Sequence, residues 1–297
     1  MYAVRREVNE LCFREIPEPQ LLSDTDIIIK IKIAGLCRTD QYAAQGKLKL
    51  KSPITLGHEF SGVIAAKGSE VRGLECGDRV SCFPLIRDAK GDDLFMGVDY
   101  DGAFAEYVRV SASQVYRIPD TLTFKHGAYL EPLTASLAPL NLDLDKSAAG
   151  GVWGTNRIAI LTLRVLECSG YRTINAIDSS NSAGFSNHFD YLIETDLNNE
   201  SIEDMIHALK PKGKLILKSR PSKSILFPVK QIVQKEIQLL GAYYGDFKTA
   251  IDLLADKQLY IDDLFGDDFP LSQATVKLAD SSESKESKKT FFTIDEY

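Results

Sequence analysis

The fold is decided by the stretch Gly57-His-Glu-Phe-Ser-Gly-Val-Ile-Ala-Ala-Lys-Gly-Ser-Glu-Val71. It places an imidazole and a carboxylate, those of His58 and Glu59, directly before a β-rich run that glycines interrupt. Cys37 lies upstream and Glu131 downstream, which adds a thiol and a second carboxylate. A four-coordinate zinc ion binds cysteine, histidine and carboxylate ligands in such mixtures. The sequence therefore predicts a metal site with these four residues as candidate ligands.

Two further side chains near Cys37 suit the same chemistry. Asp40 could accept the second N–H of His58 and so orient its ring, as carboxylates often do behind a metal-bound histidine. Thr39 carries a hydroxyl that could receive a proton from a metal-bound alcohol. Taken alone, each candidate has a simpler explanation, since a lone cysteine is usually a small buried hydrophobe. Their combination with the glycine spacing is what favours a metal site.

The composition is that of a globular protein with two domains. The chain has 297 residues, of which 44% are hydrophobic and 26% charged, enough for two domains of roughly 100–200 residues each. A net charge of −7 disfavours nucleic acid and anionic membranes as partners. No apolar run approaches the roughly 20 residues that a membrane-spanning helix needs. The five cysteines are scattered, which favours reduced thiols and predicts a cytoplasmic protein.

Two kinds of secondary structure follow one another along the chain. Ile27–Ile33 has the apolar alternation of a strand that would deliver Cys37, and 53–118 consists of short β-rich pieces broken by glycine and proline. From about residue 150 strands alternate with helices, which predicts a parallel sheet. The polar run 279–289 is expected to be a solvated loop. Predicted helices lie within 123–143, over 157–168 and from Phe269 onward.

The glycine spacing carries a family resemblance. The run from Gly57 to Val71 fills every position of the signature of the zinc-containing alcohol dehydrogenases, within the medium-chain dehydrogenase/reductase superfamily. The segment Cys37-Arg-Thr-Asp resembles the catalytic cysteine segment of that family. Glu131-Pro-Leu resembles the polyol branch of sorbitol and threonine dehydrogenases, in which a glutamate replaces a cysteine ligand. The likeness extends over nearly the whole chain.

The resemblance implies roles for particular residues. Cys37, His58 and either Glu59 or Glu131 would bind the catalytic zinc, and Thr39 would begin the proton relay. A catalytic zinc of this kind polarises an alcohol oxygen and lowers the pKa of the bound hydroxyl. The catalytic residues expected from the resemblance are therefore Cys37, Thr39, His58 and Glu59.

The resemblance also implies the fold and the metal content. The expected class is α/β, with a GroES-like β-rich catalytic domain formed by 1–132 and 265–297 and a Rossmann-like parallel-sheet domain formed by 133–264. Many family members hold a second, structural zinc with four closely spaced cysteines. This chain has no cysteine between Cys82 and Cys168, so we predict one zinc per chain.

A dinucleotide-binding turn is expected near residue 154. Gly154-Thr-Asn-Arg-Ile-Ala159 lies between a predicted strand and a predicted helix, where Rossmann folds place G-x-G-x-x-G/A. Asp178 closes the next strand, where an acidic residue binds ribose hydroxyls and favours NAD over NADP. By resemblance, Arg38 contacts the cofactor pyrophosphate. The other candidate cofactor contacts are Gly154, Asn156, Arg157 and Ile158.

This half of the chain departs from the family pattern at two places. Asn156 stands where the middle glycine would let the backbone approach a phosphate. The segment 179–188 is too short for a crossover helix and an edge strand. We therefore predict that the third strand and its helix are missing, and the turn could also be a packing turn that binds no cofactor.

The predicted activity is zinc-dependent hydride transfer between a secondary alcohol and NAD, with a polyol, sugar alcohol or cyclitol as substrate. The resemblance also implies a homodimer, paired through the region 224–241. One alternative is a relative that retains zinc without dehydrogenase activity and serves as a binding or regulatory protein. Another is a non-redox lyase or epimerase.

Overall fold

A computed structural model describes residues 1–8, 10–221, 223–280 and 288–294. Most of the polar run 279–289, with its predicted loop, lies outside the described residues. The chain folds into two compact units. The first comprises Met1–Pro132, Ile251–Ala255 and Asp262–Tyr297, and the second comprises Leu133–Ala250 and Asp256–Ile261.

The first unit is mainly β. Its strands are β1 (Tyr2–Arg6), β2 (Leu11–Glu15), β3 (Asp26–Gly35), β4 (Ile54–Thr55), β5 (Glu59–Lys67), β6 (Arg79–Cys82), β7 (Leu85–Arg87), β8 (Asp93–Phe95), β9 (Tyr107–Ser111), β10 (Val115–Arg117), β16 (Phe265–Pro270) and β17 (Lys289–Thr293). Its helices are α1 (Arg38–Ala44), α2 (Phe124–Ala128) and α8 (Ala274–Ala279), and α3 (Leu130–Leu137) begins here. Single 3₁₀ turns occur at Ala112–Gln114, Asp262–Leu264 and Leu271–Gln273.

The largest sheet of this unit has the order β10-β6-β5-β3-β17-β16, and β9 also pairs with β3. Smaller sheets have the orders β2-β1-β4 and β7-β8. β3 is a central strand of this sheet. β5 runs antiparallel to it along one edge, and β9 and β17 pair with successive parts of the other edge. Alternate isoleucines of β3, at 27, 29 and 31, are fully buried, as expected for a strand with one face on the core.

The second unit is a parallel α/β sheet. Its strands are β11 (Gly150–Trp153), β12 (Ile174–Ile177), β13 (Phe189–Glu194), β14 (Leu209–Leu217) and β15 (Gln238–Gly241). Its helices are α4 (Arg157–Cys168), α5 (Ile202–Ala208), α6 (Val229–Lys235) and the first part of α7 (Phe247–Ala255), with 3₁₀ turns at Ala138–Asn141 and Ser182–Gly184. All four strand pairings are parallel, which confirms the predicted fold class.

The predicted loss of a strand and helix in this sheet is confirmed. The order is β12-β11-β13-β14-β15, so β12 stands at an edge. Between β12 and β13 the chain forms only the 3₁₀ turn Ser182–Gly184. The segment crosses over β11 from β12 to β13 but has no room for a further strand and helix, because each parallel connection with its helix takes about ten to twelve residues or more.

One prediction of helix position is confirmed, and another was wrong in detail. The segment 123–143 is helical, since it contains α2, which ends at Ala128, and α3, which begins at Leu130. Phe269 does not open a helix, because it lies in β16 opposite Phe292 of β17. The pairing with β17 is a long-range contact that outweighs the local helical spacing. α8 begins only at Ala274.

Among the described residues, none of the helices has the length and apolar character needed to cross a bilayer.

Candidate metal centre and dinucleotide-binding turn

The metal centre is organised by the turn between β3 and α1. Cys37 is the N-cap residue of α1, with extended backbone angles of φ −111 and ψ 153. Its backbone N–H donates to Oδ2 of Asp40 at 3.1 Å. A carboxylate at the third helical position satisfies a donor that the start of a helix leaves unpaired. The same contact fixes the backbone of Cys37 at the start of α1.

Asp40 also holds the second half of the site. Its Oδ1 accepts the backbone N–H of Gly57 at 3.2 Å and lies 3.1 Å from Nδ1 of His58. Asp40 is 1% exposed, so water does not compete for these bonds. A carboxylate behind one ring nitrogen leaves the other free to bind a metal. The predicted contact between Asp40 and the ring of His58 is present.

Cys37, His58 and Glu59 come together as a possible metal-binding group. One ligand atom from each lies within 4.8 Å of the others. Nε2 of His58 is buried and has no hydrogen-bond partner, which is costly for a polar atom unless something else binds it. A free imidazole nitrogen beside a thiol and a carboxylate fits zinc.

Lys289 shares this site. Its Nζ forms an ion pair with Oε2 of Glu59, and both side chains are almost fully buried. Space for the pair exists because residue 35 is glycine: a Cβ there would lie 2.6 Å from Oε2 of Glu59 and 2.7 Å from Cε of Lys289. The charge of Glu59 is thus balanced by a lysine from β17.

The protonation of His58 is set by its neighbours. Burial lowers the pKa of His58, but the interactions of its ring with Asp40 and Cys37 more than offset this effect, so that the pKa lies well above its ordinary value. The metal-free pocket therefore favours an imidazolium. A metal ion that binds Nε2 must displace that proton.

The other residues predicted for this site lie in the same unit. Thr39 and Arg38 are half-buried in the first turn of α1. Glu131 is 5% exposed and lies in the first turn of α3. It is not a member of the group formed by Cys37, His58 and Glu59.

In the second unit, the predicted cofactor residues meet at the carboxyl edge of the sheet. β11 and β12 pair in register from Gly150 and Ile174 onward, and the N–H of Gly154 donates to the carbonyl of Ile177 at 2.9 Å. Asp178 therefore lies beside the turn that opens α4. Gly154 has φ +123, a conformation that side chains rarely tolerate.

Asn156 is the N-cap residue of α4. Its Oδ1 accepts the backbone N–H groups of Ile158 and Ala159 at 2.9 and 3.0 Å. Its Nδ2 donates to the carbonyl and the hydroxyl oxygen of Thr195 at 3.1 and 3.2 Å. The amide of Asn156 is thus fully used within the protein.

The remaining two residues of this group are half-buried. Nε of Arg157 is buried without a hydrogen-bond partner. The carboxylate of Asp178 accepts the backbone N–H of Ser180 at 2.7 Å, and its pKa is lowered chiefly by hydrogen bonds from the hydroxyl and backbone of Ser180. Asp178 is therefore ionised at neutral pH, as a partner of ribose hydroxyls should be.

Sequence reasoning missed Lys289 and Thr195. Lys289 follows a polar run and precedes Phe291-Phe-Thr-Ile, and nothing local marks it as a partner of Glu59. Thr195 directly follows β13, which is the only sign that it could reach the edge of the sheet where α4 begins.

Comparison with known proteins agrees with this architecture. Residues 23–120 match the alcohol dehydrogenase GroES-like domain. The protein named "Probable D-xylulose reductase A" from Aspergillus clavatus is 25% identical over 309 residues, covering 86% of each chain.

Solved structures show the same fold over almost the whole length. A candidate zinc-binding dehydrogenase from Sinorhizobium meliloti 1021, bound to NADP, has a TM-score of 0.87 and 24% identity, with 98% of each chain covered. Galactitol-1-phosphate dehydrogenase from Escherichia coli has a TM-score of 0.87 and 21% identity, covering 99% of this chain and 100% of that one. The signature glycines, the match of residues 23–120 and the parallel sheet lead to one assignment: the first unit contains an alcohol dehydrogenase GroES-like domain, and the whole chain shares the fold of the dehydrogenases compared.

Proposed function

We propose that the protein is a zinc-dependent oxidoreductase that transfers a hydride between a secondary alcohol and NAD. The observation that carries the proposal is the buried group of Cys37, His58 and Glu59, in which Nε2 of His58 has no partner. Relatives named for xylulose and for galactitol 1-phosphate support a substrate with several hydroxyl groups, such as a polyol, a sugar alcohol or a cyclitol.

In this proposal Cys37, His58 and one carboxylate hold the zinc. Bound there, the zinc would polarise the alcohol oxygen and make its proton easier to remove. Asp40 keeps the ring of His58 in place through the contact to Nδ1. Thr39 begins the route by which the proton leaves, since its hydroxyl lies in the first turn of α1, two residues after the thiol.

The third protein ligand is either Glu59 or Glu131. Glu59 belongs to the group, but its carboxylate already pairs with Lys289. Zinc content of Glu59→Gln and Glu131→Gln separates the two, because only loss of the inner ligand should release the metal during dialysis.

We assign the catalytic role to the first unit and NAD to the second. The domain limits proposed from the sequence are 1–132 with 265–297 for catalysis and 133–264 for the cofactor. Asp178 would bind the adenosine ribose, and Gly154, Asn156, Arg157 and Ile158 surround the place of the pyrophosphate. As the turn stands, the side chain of Asn156 occupies that place.

The direct test is spectrophotometric. Purified protein with zinc and NAD should produce NADH from at least one compound in a panel of polyols, sugar alcohols and cyclitols. A zinc chelator should abolish the rate, and Cys37→Ser should lack both the metal and the rate. Cys168→Ser is the matched control, because Cys168 lies in the exposed last turn of α4. Turnover that survives both zinc removal and Cys37→Ser would contradict the proposal.

A second candidate function is favoured by the turn at Asn156, where the asparagine side chain itself accepts the N–H groups at the start of α4. A relative that keeps zinc but has abandoned NAD would be a binding or regulatory protein, or a non-redox lyase or epimerase. Titration calorimetry with NAD and NADP distinguishes the candidates. Absence of binding by either cofactor to the zinc-loaded protein would favour the second candidate over the first.

We further propose a homodimer in the cytoplasm. β15 is an edge strand, and Leu226, Val229 and Val233, in the segment of chain that precedes it, are 65–77% exposed. Apolar exposure next to an unpaired edge is typical of a surface that another chain covers. Light scattering at micromolar concentration tests the dimer, and Val233→Glu should shift the mass to that of a monomer.

A further inference from the structure

We propose that Asn156 is an internal competitor of the cofactor pyrophosphate, so that its rotation sets the affinity of the protein for dinucleotides. The inference rests on the proposed binding of NAD by the second unit. It concerns the one position at which the turn before α4 departs from the glycine pattern of dinucleotide-binding folds.

The N–H groups at the start of α4 already have a hydrogen-bond acceptor within the protein. The first N–H groups of a helix lack intrahelical partners, and in dinucleotide-binding folds they receive phosphate oxygens. Here Oδ1 of Asn156 accepts two of them, from Ile158 at 2.9 Å and from Ala159 at 3.0 Å. The donors that a phosphate needs are therefore already satisfied by a neutral oxygen of the protein.

The nitrogen of the Asn156 side-chain amide is also held by hydrogen bonds. Nδ2 of Asn156 donates to both oxygens of Thr195, and Thr195 is only 6% exposed. The hydroxyl of Thr195 in turn donates to the carbonyl of Trp153 at 2.8 Å. The side chain of Asn156 thus links the start of α4 to Thr195 after β13, and through Thr195 to Trp153 of β11. Its rotation would break the hydrogen bonds to α4 and those to Thr195.

The backbone conformation at position 156 does not require asparagine. Asn156 has φ −74 and ψ 168, ordinary extended angles that any residue adopts. Gly154, by contrast, has φ +123, and a Cβ there would lie 2.5 Å from Oγ1 of Thr195. Glycine at 154 is required by the fold, whereas asparagine at 156 is a choice of side chain.

A dinucleotide can use these donors only when Asn156 has turned away. A binding-competent conformation that is fractionally populated lowers the apparent affinity by that fraction. Asn156→Gly removes the competitor, and glycine costs a helix N-terminus little. We expect this variant to bind NADH and ADP-ribose about tenfold more tightly than the natural chain. Adenosine, which has no pyrophosphate, should bind both proteins equally.

Two further variants complete the experiment. Asn156→Asp keeps a strong helix cap but places a negative charge against the phosphates, so it should bind ADP-ribose at least about tenfold more weakly. Asn198→Gly is the matched control, because Oδ1 of Asn198 likewise accepts two backbone N–H groups, those of Glu200 and Ser201. It should bind ADP-ribose like the natural chain. Circular dichroism verifies that each variant is folded.

The outcomes separate the inference from the proposed function. Equal, measurable affinity in the natural chain and Asn156→Gly would overturn the inference and leave the dehydrogenase proposal standing. Binding by Asn156→Gly alone would support the inference and contradict NAD dependence of the natural chain. Absence of binding by both proteins would overturn both. A gain that extends to adenosine would also overturn the inference, because it would not involve the pyrophosphate.

Discussion

The two glycine-containing motifs of this protein use their polar groups in opposite ways. In the first unit, the carboxylate of Asp40 accepts the backbone N–H groups of Cys37 and Gly57. Nε2 of His58 has no hydrogen-bond partner. In the second unit, Oδ1 of Asn156 accepts the backbone N–H groups at the start of α4. Its Nδ2 donates to Thr195, so both ends of the amide have partners. The metal motif therefore leaves a buried ring nitrogen available to a ligand, whereas the amide of Asn156 is used within the protein.

The motifs also differ in how strictly they require glycine. A Cβ at Gly62 would lie 2.2 Å from the carbonyl oxygen of Lys30, and one at Gly68 would lie 2.2 Å from that of Asp24. Both contacts are with backbone, which cannot move aside. In the cofactor motif, Gly154 is constrained by its φ of +123 and by Oγ1 of Thr195, whereas position 156 accepts a side chain. The metal motif is therefore fixed by packing, whereas the cofactor motif is open to change.

Breaking the ion pair at the metal site should have the largest effect. Lys289→Met is expected to lower the free energy of unfolding of the metal-free protein by about 3–5 kcal/mol, because it leaves the carboxylate of Glu59 buried without its cation. Lys210→Met is the control, since its pair with Asp190 is about 40% exposed and should be worth less than about 1 kcal/mol. Urea denaturation in the presence of chelator measures both. Equal effects would show that Glu59 does not depend on Lys289.

Filling the space at Gly62 should come next. Gly62→Ala is expected to destabilise the protein by about 3 kcal/mol, because the new methyl group forces β3 and β5 apart. Gly184→Ala is the control, since a Cβ at Gly184 meets nothing within 4 Å and should change stability by less than about 0.5 kcal/mol. Thermal unfolding of the two variants tests the contrast. Similar midpoints would mean that the signature glycine is not a packing requirement.

Removing the charge behind His58 should weaken the metal site without unfolding it. Asp40→Asn is expected to lower zinc affinity about 10–100-fold, as for other groups that orient a metal ligand. Competition with a chromophoric chelator gives the affinity. Asp88→Asn serves as the comparison, because Asp88 likewise accepts two backbone N–H groups but in an exposed loop. If Asp40→Asn bound zinc as tightly as Asp88→Asn, the orienting role would be excluded.

The smallest expected effect concerns Asp26, which holds the turn beside Gly68. Burial raises the pKa of Asp26, but hydrogen bonds from Leu22 and Ser23 outweigh it, and the pKa lies below its ordinary value. A lowered folded pKa stabilises the protein above the unfolded pKa of about 3.9, and this stabilisation disappears as pH falls through the folded value. Asp26→Asn should therefore cost about 1 kcal/mol at pH 7. The difference should shrink as the pH falls below about 4, and a constant difference in denaturation experiments from pH 7 to pH 3 would refute this explanation.

Local features of the sequence were enough for much of the fold and the site. The alternation of β3, the helix over 157–168 and the missing strand after Asp178 all follow from short segments of sequence. The proximity of Cys37, His58 and Glu59 could be expected from a family motif. These features depend on residues that lie close together in the sequence or in a known pattern.

Long-range contacts are what the sequence did not reveal. Phe269 was assigned to a helix because its partner in β17 is not visible locally. Lys289 was overlooked for the same reason. Asn156 was identified as a departure, but its bonds to Thr195 depend on the parallel pairing of β11 and β13, so the closed state of the turn emerged only from the structure.

The position of β17 also constrains the order in which the protein can mature on the ribosome. This strand lies between β3 and β16 in the main sheet of the first unit, and it contributes Phe291 and Phe292, which are fully buried. Its residues are synthesised long after Glu59 has left the exit tunnel. Until they emerge, the end of β3 from Ile33 to Gly35 lacks its neighbour on one side and Glu59 lacks its counter-ion. The metal pocket can therefore reach its final form only after the second unit has been translated.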